Sequence, residues 1–290
     1  MTLPEWQTRG AYHEVHGISV FALDEGPREA PVVVVLHGYP SCSYDYYRVL
    51  PYWTKDYRVV VHDHPGFGLS GKPADYSYSL VEQAEIALGL WAQLGIREAH
   101  LLAHDYGTSV ATEIIARRQR GYEPVRLLGA TLGNGSMLIE LSQLRWIQQL
   151  LLHRRLGPLV AKFSSKALFD LNMRRLWGDQ DKVEQQDLDL LWEMLIRDQG
   201  RQRLPQLTQY IRERRRFWHR WVGSLYRTDL PVNLIWAEED PVAVVKMAHE
   251  LHRNIPDSRL KLLPGIGHYP MLEAPEVYAG AVLEMLREPG

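Results

Sequence analysis

The chain has one cysteine, Cys42, in 290 residues, so no internal disulfide can form, which fits a reducing compartment. Cys42 stands in PSCSYDYY (40–47) with no evident base beside it, a poor setting for a catalytic thiol. An excess of either charge is also missing. The formal net charge is -2, which gives no electrostatic reason to expect a nucleic-acid partner. The local basic run RERRRFWHR (212–220) is interleaved with aromatics and Glu213 and is expected to be a solvated helix face. No stretch approaches the roughly 20 apolar residues of a membrane-spanning helix. The opening MTLPEWQTRGAYHEVHG lacks the basic start and apolar block of a signal peptide. A soluble, cytoplasmic protein without a membrane partner is the expectation. No metal-ligand spacing, phosphate-binding glycine loop or dinucleotide fingerprint occurs, so neither a metal nor a cofactor is expected.

What the sequence does contain is a rhythm. Short apolar, β-branched runs recur at ISVFAL (18–23), VVVVL (32–36), RVVVHD (58–63), AHLLAH (99–104), VRLLGATL (125–132), VNLIWA (232–237) and RLKLLP (259–264). Several are continuous rather than alternating, as strands buried on both faces of a parallel sheet are. Helix-period segments such as 79–95 and 108–121 lie between them. Strands alternating with helices predict an α/β fold with a mostly parallel central sheet and flanking helices. The rhythm fails over 136–228, where helical runs such as LIELSQLRWIQQLLLHRR, QQDLDLLWEMLIRD and LPQLTQYIRERRRFWHRWVGSLY follow one another. That segment reads as an inserted helical cap dividing the sheet domain into 1–135 and 229–290.

One strand ends in an unexpected residue. LLAHDYG (101–107) runs from a buried strand into a helix through Asp105. A carboxylate there could cap the helix, since Asp oxygens accept from the free N–H groups of a first turn. The small residues Ala103 and Gly107 on either side fit instead a tight strand-to-helix turn that lifts its corner residue to the carboxyl edge of the sheet, making Asp105 a candidate nucleophile. LHGYP (36–40) follows an earlier strand and supplies a glycine turn, so the backbone N–H groups of Tyr39 and Tyr106 are the candidate oxyanion hole. Asp240 in AEEDPVAV and His268 in GIGHYPML each follow a later strand, giving the order nucleophile, acid, base. Glu238 and Glu239 compete with Asp240 for the acid position.

These residues resemble the α/β-hydrolase fold and, within it, the branch of Asp-nucleophile enzymes that contains epoxide hydrolases and haloalkane dehalogenases. SYDYY, HDYG, QYIRERRRFWHRWVGSL and HYPMLEAPE are similar to mesoderm-specific transcript protein-like hydrolases. The resemblance covers nearly the whole chain, cap included. It implies displacement by Asp105 at a saturated electrophilic carbon, giving an alkyl ester on the enzyme that His268, oriented by Asp240, helps water to open. Tyr106 and Tyr39 stand where dehalogenases carry Trp and Asn, which counts against halide as leaving group. Tyr210 stands where epoxide hydrolases carry a ring-opening tyrosine, although the second cap tyrosine usual in those enzymes is missing. Opening of epoxides to vicinal diols is therefore expected, with a small apolar epoxide and water as reactants. Halide displacement, β-lactone opening and a non-catalytic binding role are the alternatives. Trp177, Trp192 and Asn134 are candidate substrate contacts, each with a plainer reading as core packing or, for Asn134, a turn.

Overall fold

The structure is a computed structural model and describes residues 1–287. Its strands are β1 (Ala11–Val15), β2 (Ile18–Glu25), β3 (Val32–Leu36), β4 (Arg58–His62), β5 (Glu98–His104), β6 (Arg126–Gly133), β7 (Val232–Ala237) and β8 (Arg259–Leu263). They form one sheet in the order β1-β2-β4-β3-β5-β6-β7-β8. β1 pairs with β2 and β2 with β4 antiparallel, and from β4 onward in that order neighbours pair parallel. Each apolar run marked in the sequence is a strand. β1 is an addition that the apolar pattern does not mark, because only Val15 of AYHEV is buried.

The continuous runs are explained by burial on both faces. Val34 and Leu36 join the core on one side of the sheet while Val33 and Val35 join the core on the other, and Val60 is divided from Val59 and Val61 in the same way. Parallel register then brings the strand ends level. Leu36 pairs with Ala103, His104 with Gly133, Gly133 with Ile235, and Ala237 with Leu263. The loops leaving β3, β5, β6, β7 and β8 consequently open side by side at one edge.

Between β6 and β7 the described chain holds helices and no strand, the longer ones being Leu156–Phe163, Lys166–Arg174, Gln185–Ile196 and Tyr210–Leu225. The helical run expected over 138–155 is broken into a short turn, Ile139–Leu141, and a helix, Trp146–Leu152. Gln143 N–H is drawn off to Val242 O, and the Gln148 side chain folds back to accept from Arg145 N–H, so the helix starts late. Among the described residues no helix is long and apolar enough to cross a membrane.

Candidate active site

Asp105 adopts φ 46° and ψ -110°, a left-handed conformation that costs a non-glycine residue about 1–3 kcal/mol and persists only where the surroundings enforce it. Here they do. Asp105 N–H donates to Gly133 O, its carbonyl accepts from both Thr108 N–H and Thr108 Oγ1, and a Cβ at Gly107 would collide with the Leu36 carbonyl. The helix Tyr106–Arg118 begins immediately, yet the Asp105 side chain makes no capping bond to it. Freed from its own helix, the carboxylate accepts at Oδ1 from Tyr39 N–H (2.9 Å). Gly38 permits this approach, since a Cβ there would lie 3.0 Å from Asp105 Cβ. Tyr39 N–H thus lies on the carboxylate. Tyr106 opens the helix, and no bond from its N–H to Asp105 is found among the described residues.

His268 presents Nε2 to the other oxygen, Asp105 Oδ2, at 3.7 Å, and holds Asp240 Oδ2 through Nδ1 at 2.7 Å. Burial works against a charged imidazole, but the Asp240 carboxylate, through charge and hydrogen bond, followed by Asp105 and Asp45, raises His268 to about 9. Burial pushes Asp240 the other way, and the attraction of His268 overrides it to hold the carboxyl below its ordinary value. Asp240 Oδ1 accepts from Val242 N–H and Ala243 N–H. Glu239 is exposed and Glu238 half-buried, and Asp240 alone of the three reaches the imidazole.

Asn134 does not line the cavity. Ala237 N–H can only donate, so Asn134 Oδ1 must face it, and the amide NH2 is thereby aimed at Asp240 Oδ2 (2.8 Å). It braces the acid from the end of β6 instead of touching a substrate. Trp177 is also away from the cavity, with its indole stacked on Tyr269 (centroids 5.1 Å apart). Its segment abuts the loop that follows β8 and carries His268: His268 N–H donates to Leu176 O at 2.7 Å, and a buried Glu273 carboxylate accepts from Gly178, Asp179 and Gly267 N–H. Trp192 does stand at the cavity wall.

The cavity, about 110 Å³, lies between the sheet edge and the inserted helices, with Asp105, His268 and Tyr39 on one side and mostly apolar side chains such as Leu151, Leu168 and Phe169 on the other. Tyr210 is buried behind this wall, its ring against those of Tyr39 and Tyr106. Gln148, which lines the cavity, connects to it. Because Arg145 N–H donates to Gln148 Oε1 (2.9 Å), the Gln148 NH2 must point to Tyr210 Oη (3.0 Å), which therefore accepts and keeps its own proton uncommitted. Tyr39 differs: Thr208 Oγ1 donates to Leu204 O, so Tyr39 Oη donates to Thr208, and its proton is occupied.

The basic run 212–220 is not wholly solvated. Arg214 is buried, donating to Ser109 Oγ (2.7 Å) and to Asp105 O (3.3 Å), with its guanidinium over the Tyr210 ring. Arg220 and Trp221 reach the buried Glu113 carboxylate. The helix Tyr210–Leu225 packs one charged stripe inward against Tyr106–Arg118, the helix that leaves the Asp105 elbow, where a hydroxyl, a carbonyl and a carboxylate meet it. Neither Gln148 nor Arg214 carries a sequence signal of its role, apart from the density of arginine around the latter. Among the described residues no three His, Cys, Asp or Glu side chains are grouped to hold a metal ion.

Residues 31–275 match the family model for the alpha/beta hydrolase fold. The protein named LipZ of Mycobacterium tuberculosis is 38% identical over 99% of both chains. The mesoderm-specific transcript protein of Mus musculus is 32% identical over 97% of this chain and 87% of its own. A loop variant of the haloalkane dehalogenase DbeA from Bradyrhizobium elkanii superposes with a TM-score of 0.80 at 20% identity, covering 95% of each chain, a likeness of fold. With that sheet and that family match, the chain belongs to the α/β-hydrolase fold family.

Proposed function

We propose that the protein hydrolyses epoxides to vicinal diols through an ester formed on Asp105. The observation that carries this reading is the uncapped carboxylate, with Oδ1 held by Tyr39 N–H and Oδ2 left open toward His268 Nε2 at 3.7 Å. A serine at this corner would need a base to take its proton, whereas a carboxylate attacks as it stands.

In the first step Asp105 Oδ2 forms a bond to a ring carbon while the ring C–O bond breaks, and the ring oxygen takes the proton of Tyr210, whose phenol stands behind Gln148 and has to come into the cavity beside it to give that proton. Burial, and next the Asp105 charge, push the Tyr210 phenol far up, which keeps it protonated until an alkoxide, a stronger base still, appears beside it. Esterification removes the Asp105 charge that helps keep His268 protonated, so the imidazole becomes a base only once the ester exists. It then takes a proton from water as the water oxygen attacks Asp105 Cγ. The resulting oxyanion is met by Tyr39 N–H. Collapse breaks the Cγ–O bond to the former ring carbon, His268 returns its proton to the departing oxygen, and the proton of the regenerated carboxyl goes back to the Tyr210 phenolate.

Styrene oxide and longer aliphatic epoxides, incubated in ¹⁸O water, are expected to give diol, with label entering Asp105 in a single turnover. Asp105→Ala abolishes product on this reading; diol from that variant would refute the covalent route. Halide release from haloalkanes, with no epoxide opened, would transfer the same nucleophile to displacement of halide.

A further inference from the structure

The cavity wall carries the half-buried Arg145 besides the imidazole of His268, and among the described residues this guanidinium is in no ion pair. Other arginines withdrawn from water meet protein oxygens: Arg9, Arg48, Arg58 and Arg117 pair with Glu25, Asp187, Asp24 and Glu113, and Arg174, Arg201 and Arg214 donate to Gln185, to the Ser164 carbonyl and to Ser109 and the Asp105 carbonyl; Arg203 also lacks a carboxylate but does not line the cavity. Nor can a sequence neighbour serve Arg145, because 141–169 contains no Asp or Glu at all. A guanidinium against an apolar wall is unfavourable unless an anion joins it.

We propose that the substrate carries a carboxylate and that Arg145 receives it. A guanidinium presents parallel N–H donors that fit the two oxygens of a carboxylate, and a single one balances a monoanion, where a phosphate dianion would be left half-neutralised. With the carboxylate at Arg145 and the electrophilic carbon at Asp105, the stem between them lies against Leu151, Leu168 and Phe169, all on the cavity wall. The anion site is joined to the chemistry. Gln148 accepts from the Arg145 backbone with one end of its amide and holds Tyr210 with the other. The substrate class is then an ω-functionalised alkanoic or arylalkanoic acid whose far end is electrophilic. Its electrophile being an epoxide rests on the reading above; the anion site does not.

The test separates the two. Calorimetric titration of the full chain with octanoate and octanamide, neither of which can react, reads the anion site alone. Octanoate is expected to bind at least about 10-fold tighter than octanamide, the scale of a charge-assisted hydrogen-bonded pair. Arg145→Leu is expected to erase that ratio and Arg145→Lys to restore part of it. Turnover of 7,8-epoxyoctanoate against 7,8-epoxyoctanamide should show the same preference in KM. Equal binding of octanoate and octanamide by the unaltered protein overturns the inference, whatever the variants do, as does a ratio that survives Arg145→Leu. Octanoate preference without any epoxide opening leaves the anion site standing and removes the epoxide reading; epoxide opening without preference does the opposite.

Discussion

Nε2 of His268 stands 3.7 Å from Oδ2 of Asp105, beyond hydrogen-bonding range, while Nδ1 of the same ring is fixed at 2.7 Å from Asp240. The imidazole is thus oriented by the acid and only faced by the carboxylate. In the proposed reaction that gap lets the substrate carbon bond to Asp105 without first breaking a hydrogen bond to histidine.

The two half-reactions should accordingly titrate differently. Asp105 is one of the charges that raise His268 to about 9, after Asp240. Its esterification lowers the value, so breakdown of the ester is expected to follow an apparent pKa below the one that free-enzyme titration of His268 by NMR reports. Single-turnover rates across pH 5 to 10 measure both. Coincident values would remove the argument that His268 becomes a base only after alkylation. In His268→Gln the ester should accumulate as a mass adduct on Asp105.

Asn134 acts through Asp240. Substituting Asn134→Leu strips a buried hydrogen bond to a carboxylate that must hold the imidazole in place, and such a loss is worth about 1–3 kcal/mol. Ester breakdown is expected to slow by roughly 10- to 100-fold, with the alkylation step much less affected. Equal slowing of both steps would mean that the change disturbs the elbow itself.

Two phenols lie side by side, Tyr39 and Tyr210, and their hydrogen bonds distinguish them. Tyr39 gives its proton to Thr208; Tyr210 receives from Gln148 and has its proton to spare. Tyr210→Phe should cut alkylation by about 10² to 10⁴, the usual contribution of a positioned acid, and Tyr39→Phe by far less. Rapid-quench measurement of adduct formation decides it, and a larger effect at Tyr39 would exchange their roles.

The sequence carried these parts unequally. VVVVL and VNLIWA are strands from end to end because an uninterrupted β-branched run has nowhere to go except between two layers. HDYG was readable because a sharp turn demands small flanking residues, and the structure shows Gly107 packed where a Cβ would meet Leu36. AYHEV was not, being an edge strand with one buried side chain. In the inserted helices the limit is directional. Trp177 and Trp192 are alike in type and setting, but only docking decides that one stacks on Tyr269 and the other faces the cavity. The same holds for Arg214, one arginine among several, which turns inward because the elbow helix offers it Ser109 and the Asp105 carbonyl.

Glu273 ties the inserted segment to the loop that carries His268. Its carboxylate accepts from Gly178 N–H (3.1 Å), Asp179 N–H (2.8 Å) and Gly267 N–H (2.9 Å). Glu273→Leu would strip the partner from three donors, on exposed Gly178, half-buried Asp179 and buried Gly267, a loss of roughly 2 kcal/mol in urea unfolding. Glu273→Gln keeps the oxygen but loses the charge and should fall between. An unchanged unfolding midpoint in Glu273→Leu would show that water replaces the carboxylate without cost.

Stability should fall on acidification below neutral pH because of histidines held neutral by burial. Burial lowers His37 to about 4, His62 to about 3 and His104 to about 4. The unfolded chain takes protons at these sites from about pH 6.5 downward while the folded chain does not, so the unfolded state gains. Each group then costs about 1.4 kcal/mol per pH unit between 6.5 and its folded value. His268 has the opposite sign. Its raised value contributes stability that is complete below about 6.5 and is lost as pH rises through about 9. His64 and His100 are lowered by burial too and act in the same direction as the other buried histidines, so together these groups predict a maximum near neutrality, with a steeper decline on the acid side, where several buried histidines act, than on the alkaline side, where His268 does. Urea midpoints at pH 8.5, 7 and 5 test this directly. Replacing His62, whose ring nitrogens have no partner among the described residues, by Leu should flatten the acid limb alone.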